Sequence, residues 1–243
     1  MNILGIDIGG SGIKAALVNP VDGTLATDRV WVRTPQPASP VAVSAIVSDI
    51  IRGFNWTGSV GCGLPAVIRN GVVCTAANID RAWIGIDAAE VFSVPGCGKI
   101  TVMNDADAAG LAEMHYGAGN NASGTTIIVT AGTGLGTALF RDDMLVPNTE
   151  LGHLLLNGKV AEHYASAAVK TRLNLSYAEW AKRFDDYLLR LEELFWPDLF
   201  IIGGEISCDH ALFLPELTIK TRVIPAELRN DAGIIGAAAA VLR

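Results

Sequence analysis

The sequence predicts an α/β protein made of two similar lobes, and three observations carry that prediction. Short apolar runs alternate with amphipathic segments along the whole chain. Half of the residues are hydrophobic and only 18% are charged, which suits a buried core and argues against disorder. The third is an internal repeat. Gly10-Ser11-Gly12-Ile13, followed by Ala16-Leu17, aligns without a gap to Gly132-Thr133-Gly134-Leu135, followed by Ala138-Leu139, at an offset of 122 in a chain of 243 residues. A repeat at nearly half the length is most simply two lobes that carry the same glycine-rich hairpin. The expected lobes are residues 1–107, with the last helix at 231–243 packing back on it, and residues 108–230.

In chain order, Asn2 to Ile8 and Ile13 to Val18 read as strands on either side of the first glycine turn, and Leu25 to Val32 as a third. Ser39 and Pro40 make an N-cap and first turn for a helix whose apolar face is Val43, Ile46, Val47, Ile50 and Phe54. Ser59 to Leu64 is a buried strand, and Asn70-Gly71 between two valine- and isoleucine-containing pairs is a hairpin signal. Ile100 to Met103 is a strand that runs into a helix over Asp105 to Tyr116, stopped by Gly117. Thr126 to Phe140 repeats the strand-turn-strand. Ser176 with Glu179 forms a capping box ahead of a helix to Phe195, Leu199 to Ile202 is a strand ending at Gly203-Gly204, and Asp231 caps a final alanine- and glycine-rich helix.

Composition narrows the function. The net charge of −7 and the lack of a basic run disfavour sequence-specific binding to nucleic acid. No stretch approaches the ~18 uninterrupted apolar residues of a membrane span, and the run Ile3, Leu4, Ile6, Ile8 is too short for a signal peptide. Cys62, Cys74, Cys97 and Cys208 are widely spaced with no C-x-x-C pair, which reads as free thiols, most of them buried, in a cytoplasmic protein.

The glycine turns supply the first chemistry. Gly9, Gly10, Ser11 and Gly12 expose consecutive backbone N–H groups that attract an anion, and Ser11 adds a hydroxyl; Thr130, Gly132, Thr133 and Gly134 follow the same logic. Neither turn is a P-loop, and a strand, not a helix, follows the first, so it is not a dinucleotide fingerprint. Two equivalent turns could grip a phosphate chain from both sides. Lys14 either neutralises a transferring phosphoryl group or is a solvated strand lysine. Asp7 either caps the turn or, beside a polyanion, implies Mg²⁺ held through water.

The second chemistry is an acceptor for hydroxyl protons. Asp105, at a strand-to-helix junction, is either an N-cap or a general base kept ionised by the helix N-terminus. Asn78, Asn104, Asp105, Glu150, His153 and Glu162 could together take the hydroxyls of a sugar if the fold gathers them. Lys170, Arg172, Lys182, Arg183 and Arg190 are either a solvated helix face or a track for a long polyanion.

Asp7-Ile-Gly-Gly-Ser-Gly-Ile-Lys14, Asn104-Asp105, Thr130-Ala-Gly-Thr-Gly-Leu-Gly136 and Glu150-Leu-Gly-His153 together resemble the repressor, open-reading-frame and kinase (ROK) family in order and spacing. The resemblance implies the actin-like, hexokinase-like (ribonuclease H-like) two-lobed fold, closing over sugar and donor. It implies Asp105 as the base on a sugar 6-hydroxyl and Asn78, Asn104, Glu150, His153 and Glu162 as sugar-binding positions. The segment 154–161 lacks the cysteines with which many family members bind zinc, so no zinc is expected. Asn148 to His153, Tyr177 to Phe184 and Val223 to Gly236 resemble the branch of glucokinases that uses inorganic polyphosphate, some with ATP as well. Glu205, where the family has a small residue after Gly203-Gly204, would crowd a nucleotide phosphate and favours polyphosphate over ATP. The alternatives are an ATP-dependent hexokinase for glucose, mannose, fructose or an acylated amino sugar, and a sugar sensor that has lost the chemistry. The family expectation is a homodimer.

Overall fold

The computed structural model describes residues 1–77 and 79–243. The chain divides into two compact units, Met1–Ala112 with Asp231–Arg243, and Glu113–Asn230.

The first unit opens with β1 (Ile3–Ile8) and β2 (Gly12–Asn19), joined by the first glycine turn, and continues through β3 (Thr24–Leu25) and β4 (Val30–Arg33). The expected third strand is therefore two. The Ala26 N–H still donates to Leu17 O at 2.7 Å, but the Leu17 N–H goes to Thr27 Oγ1 at 3.1 Å, a side-chain bond in place of strand pairing, and the chain leaves the ladder until Val30. Helix α1 (Pro40–Gly53) starts at Ser39, whose Oγ accepts the Ala42 N–H, and buries Val43, Val47, Ile50 and Ile51. Then come β5 (Val60–Leu64), buried throughout, and the hairpin β6 (Ile68–Arg69) to β7 (Val72–Val73). Asn70 and Gly71 turn that hairpin with φ of +51° and +83°, the left-handed pair that a two-residue turn requires. A short helix α2 (Ala88–Phe92) precedes β8 (Ile100–Asn104), which runs into α3 (Asp105–Tyr116).

The second unit repeats the plan with β9 (Thr125–Ala131), the second glycine turn, β10 (Leu135–Arg141) and β11 (Met144–Val146). A small hairpin, β12 (Leu155–Leu156) and β13 (Lys159–Val160), leads to the short helices α4 (Glu162–Ala165) and α5 (Ala167–Arg172). Helix α6 (Tyr177–Phe195) has the complete capping box between Ser176 and Glu179 and buries Trp180, Phe184, Tyr187 and Leu188. It is followed by β14 (Leu199–Gly203) and β15 (Arg222–Pro225). The last helix, α7 (Ala232–Ala240), belongs to the first unit. Asp231 is not its side-chain cap: the carboxylate accepts from Arg29 Nη1 at 2.6 Å instead.

The two sheets have the same order. In the first it is β3-β2-β1-β5-β8, with β4 as a sixth strand also paired to β2, and in the second β11-β10-β9-β14-β15. In both, the glycine hairpin is antiparallel and the next two strands are parallel to its first strand. The sequence repeat is thus a repeat of topology. The turns differ by one residue. Ile8 pairs with Ile13 across four loop residues, whereas Ala131 pairs with Leu135 across three. Only Cys62 of the four cysteines is buried; Cys74 and Cys208 are exposed, against the expectation that most would be inside. No helix among the described residues is long and apolar enough to cross a membrane.

Candidate active site

Every carbonyl of the first glycine turn is occupied. Gly9 O accepts from Thr34 Oγ1 at 2.6 Å, Gly10 O from Gln36 Nε2 at 3.3 Å, Ser11 O from the Thr34 N–H at 3.2 Å, and Gly12 O from the Gly9 N–H at 3.0 Å. With all four carbonyls occupied and the Gly9 N–H spent on one of them, what the turn can still offer an anion is the remaining amides and the exposed Ser11 side chain. Thr34 and Gln36 are invisible to motif reading because they come from beyond β4, 25 and 26 residues from the carbonyls they hold.

Asp7 and Lys14 face each other across β1 and β2 and are joined at 3.3 Å. The Asp7 side chain is only 16% exposed, and burial raises its pKa although Lys14 pulls it down. A Cβ on Gly233 would come within 2.6 Å of Asp7 Cγ, so the start of α7 needs glycine for the carboxylate to fit. Lys14 is partly buried and is the counter-ion of Asp7.

At the β8–α3 junction, Asn104 is the capping residue. Its Oδ1 accepts the Asp107 N–H at 3.0 Å and its Nδ2 donates to Ala66 O at 3.1 Å, and the residue is buried. Asp105 is the first residue of the helix, half-buried, with Oδ1 accepting the Ala106 N–H at 2.8 Å.

In the second unit, the Gly132 N–H donates to Gly134 O at 3.0 Å, and Gly132 O accepts from the Ala168 N–H in the first turn of α5, also at 3.0 Å. The Glu-x-Gly-His segment folds back onto the start of β10. The Leu151 N–H donates to Thr137 Oγ1 at 3.1 Å, and a Cβ on Gly152 would lie 2.0 Å from Leu135 O. That contact explains the glycine between Glu150 and His153 and places both beside the second turn. His153 then stands between two carboxylates, with Nδ1 3.5 Å from Glu150 Oε2 and Nε2 3.6 Å from Glu162 Oε1. Glu162 is 13% exposed and also meets His163 Nε2 at 3.5 Å. Burial raises the Glu150 pKa; His153 opposes this and Glu162 adds to it. Two carboxylates flanking an imidazole offer acceptors and a donor to adjacent hydroxyls, the requirement of a sugar site.

Other expected positions have plain surroundings. Thr130 is on β9 opposite Gly136, and Thr133 is exposed at the turn tip. Lys170 lies over the Tyr177 ring at 4.0 Å and Arg183 over Tyr164 at 5.2 Å, while Arg190 pairs with Glu193 at 3.1 Å. Arg172 and Lys182 are exposed, on α5 and α6. Gly204 has φ of +84°, and Glu205 after it is exposed. Asn78 lies outside the described residues.

The ROK family profile matches residues 3–170. A protein of Mycobacterium tuberculosis named polyphosphate glucokinase is 47% identical over 97% of this chain and 89% of its own length. The structure of an inorganic polyphosphate/ATP-glucomannokinase from Arthrobacter sp. strain KM superposes with a TM-score of 0.95 at 42% identity, covering 100% of this chain and 99% of that one. A ROK family glucokinase from Streptomyces griseus, solved with glucose and AMPPNP, shares the fold alone, with a TM-score of 0.82 at 23% identity over 98% of each chain. The fold is that of the actin-like, hexokinase-like sugar kinases, and the chain belongs to the ROK family.

Proposed function

We propose that this chain is a polyphosphate glucokinase, transferring the terminal phosphoryl group of inorganic polyphosphate to the 6-hydroxyl of glucose. The observation that carries this reading is the 47% identity to proteins of that name over 97% of the chain, with both glycine turns and the Glu150–His153–Glu162 cluster in place. The test is glucose 6-phosphate formation by the purified protein with Mg²⁺, run separately with polyphosphate and with ATP. Turnover with polyphosphate is the expected result, and turnover with ATP alone would overturn the donor assignment. Mannose belongs in the same assay, because the Arthrobacter structure is named a glucomannokinase that also uses ATP.

In this reading Asp105 accepts the proton of the attacking hydroxyl, and Glu150, His153 and Glu162 orient the sugar with Asn104 and Asn78. The first turn, through the amides of Gly10 to Gly12, and the second, through those of Thr133 and Gly134, hold the phosphates with the side chains of Ser11, Thr130 and Thr133, while the Gly9 and Gly132 N–H groups close the turns. Asp7 is a single carboxylate beside the first turn, with one oxygen already on Lys14. That donor set suits Mg²⁺ held mainly by water and donor phosphates, and it does not suit a cage made by protein alone. The cation would neutralise charge on the transferring group. The enzyme is taken to be a cytoplasmic homodimer, which sedimentation of the purified protein checks.

Two predictions arise here. A Cβ on Gly132 would meet nothing within 4 Å, so Gly132→Ala folds normally. If donor phosphate approaches the turn there, the methyl group obstructs it, and the KM for the donor rises about 10-fold with the glucose KM unchanged, a loss of the size of one hydrogen bond to a charged group. Unaltered donor kinetics would remove this turn from the donor site.

The second concerns pH. The carboxylate form of Glu150 accepts from the sugar, and burial lifts its pKa above the ordinary 4.5. Protonation therefore begins at higher pH than for a free carboxylate, and kcat/KM for glucose falls as pH drops through that raised value. Glu150→Gln should lower kcat/KM about 10- to 100-fold and move the acid limb to lower pH. An acid limb in the same place would assign it to another group.

A further inference from the structure

We infer that Trp31 and Arg33 on β4 hold the phosphates that follow the transferring one in a condensed-phosphate donor. The inference rests on the polyphosphate reading and deepens it. Strand β4 pairs with β2 so that Arg33 is opposite Gly12 and Trp31 is opposite Lys14, and Lys14 is in turn opposite Asp7. Directly opposed residues of neighbouring strands share a face, so Asp7, Lys14, Trp31 and Arg33 project on one side, beside the first glycine turn. The intervening residues confirm the alternation. Val30 and Val32 line an apolar pocket with Ile46 and Ile50 of α1, and Thr34, past Arg33, is buried and holds Gly9 O.

Gly12 leaves a gap on that face, and Trp31 fills it: a Cβ on Gly12 would be 2.2 Å from the indole Nε1. The indole is nevertheless 59% exposed, unlike a core residue. Trp56, Trp83 and Trp180 each donate their indole N–H to a backbone carbonyl. Trp31 Nε1–H donates to no protein atom among the described residues, and it is carried to the edge of a turn whose carbonyls are all occupied.

The charges divide in the same way. Lys14 is committed to Asp7 and Arg29 to Asp231. Arg33 is exposed and makes no ion pair among the described residues. An uncommitted guanidinium and an indole N–H on one face beside the glycine turn match a chain of linked phosphates, which offers anionic oxygens beyond the group at the turn. In a nucleoside triphosphate the chain stops at a neutral sugar and base. The pair therefore favours a long donor. By contrast, Lys170 and Arg183 in the second unit are already stacked on tyrosine rings.

The test compares wild type, Arg33→Gln and Trp31→Phe in steady-state kinetics with long-chain polyphosphate, tripolyphosphate and ATP as separate donors. Arg52→Gln, which removes a positive charge paired with Asp49 on α1, sets the baseline for general charge loss. Arg33→Gln should raise the KM for long-chain polyphosphate about 10-fold or more, the loss expected for a charge-assisted bond to phosphate, with a change for ATP of less than about threefold. Trp31→Phe keeps a ring over Gly12 and loses only the N–H, so a rise of about threefold is expected for long-chain polyphosphate. Turnover of polyphosphate by wild type with an unchanged KM in Arg33→Gln, or an equal rise for ATP and in Arg52→Gln, would overturn this assignment alone. Wild-type turnover with ATP and none with polyphosphate would overturn the polyphosphate reading and this assignment with it.

Discussion

Asp105→Asn should lower glucose 6-phosphate formation by about 10²- to 10⁴-fold, the range of a lost general base, while glucose binds with nearly unchanged affinity. The local structure makes the substitution clean. Asn104 already caps α3 through the Asp107 N–H and anchors the junction through Ala66 O, so the helix start does not depend on the Asp105 charge. The bond from the Ala106 N–H to Asp105 Oδ1 survives in asparagine, whose amide oxygen can accept it. What asparagine cannot do is take a proton. The loss should appear in kcat at saturating glucose and donor, with glucose affinity measured by calorimetry and the unfolding midpoint as a check on the fold. Wild-type turnover in this variant would remove Asp105 as the base. A matched loss of glucose affinity would make it a binding residue instead.

The sequence exposed those parts of the site and fold that are written in short-range spacing. Ser176 and Glu179 are three residues apart, and the box they predict is present in full. Asn70-Gly71 dictates its own backbone conformation, and the glycine repeat foretells two sheets of one topology. The reading failed where a distant residue decides the outcome. Leu25 to Val32 has strand composition, yet Thr27 takes the Leu17 amide and breaks the strand. Asp231 has the identity of a cap but is drawn off by Arg29, 202 residues away. Strand β15 is four residues long and ends in Pro225, too short for period-two patterning to register. At the site, the glycines were legible as a tight turn, but not what occupies its carbonyls, because Thr34 and Gln36 reach them from outside the motif. Glu150 and His153 could be paired from their spacing. Glu162 joins them only because Gly152 lets the segment fold back onto β10.

Gly61→Ala and Gly236→Ala should each destabilise the first unit by at least about 3 kcal/mol, the upper end of overpacking costs, or prevent soluble folding. Helix α7 is apolar and buried around nearly its whole circumference, so it cannot be accommodated at ordinary side-chain distance from one neighbour without losing another. It is instead seated backbone to backbone through glycines. Gly5 on β1 and Gly61 on β5 are opposite one another in the sheet. A Cβ on Gly5 would lie 2.1 Å from Ile234 O, and one on Gly61 would lie 1.7 Å from Ala237 O. On the helix itself, a Cβ on Gly236 would be 1.6 Å from Ala108 O of α3. In each case the obstacle is a main-chain carbonyl, which has no rotamer to escape into, so the helix or the strand must move. The consequence reaches the site. α7 begins beside Asp7, where Gly233 leaves room for the carboxylate, and a helix pushed off the sheet takes that wall with it. Any soluble Gly61→Ala protein should therefore lose turnover as well as stability. Gly53→Ala is the control, since nothing lies within 4 Å of the added atom. Denaturant unfolding decides the matter: equal midpoints for Gly61→Ala, Gly236→Ala and Gly53→Ala would mean that α7 does not dock this closely.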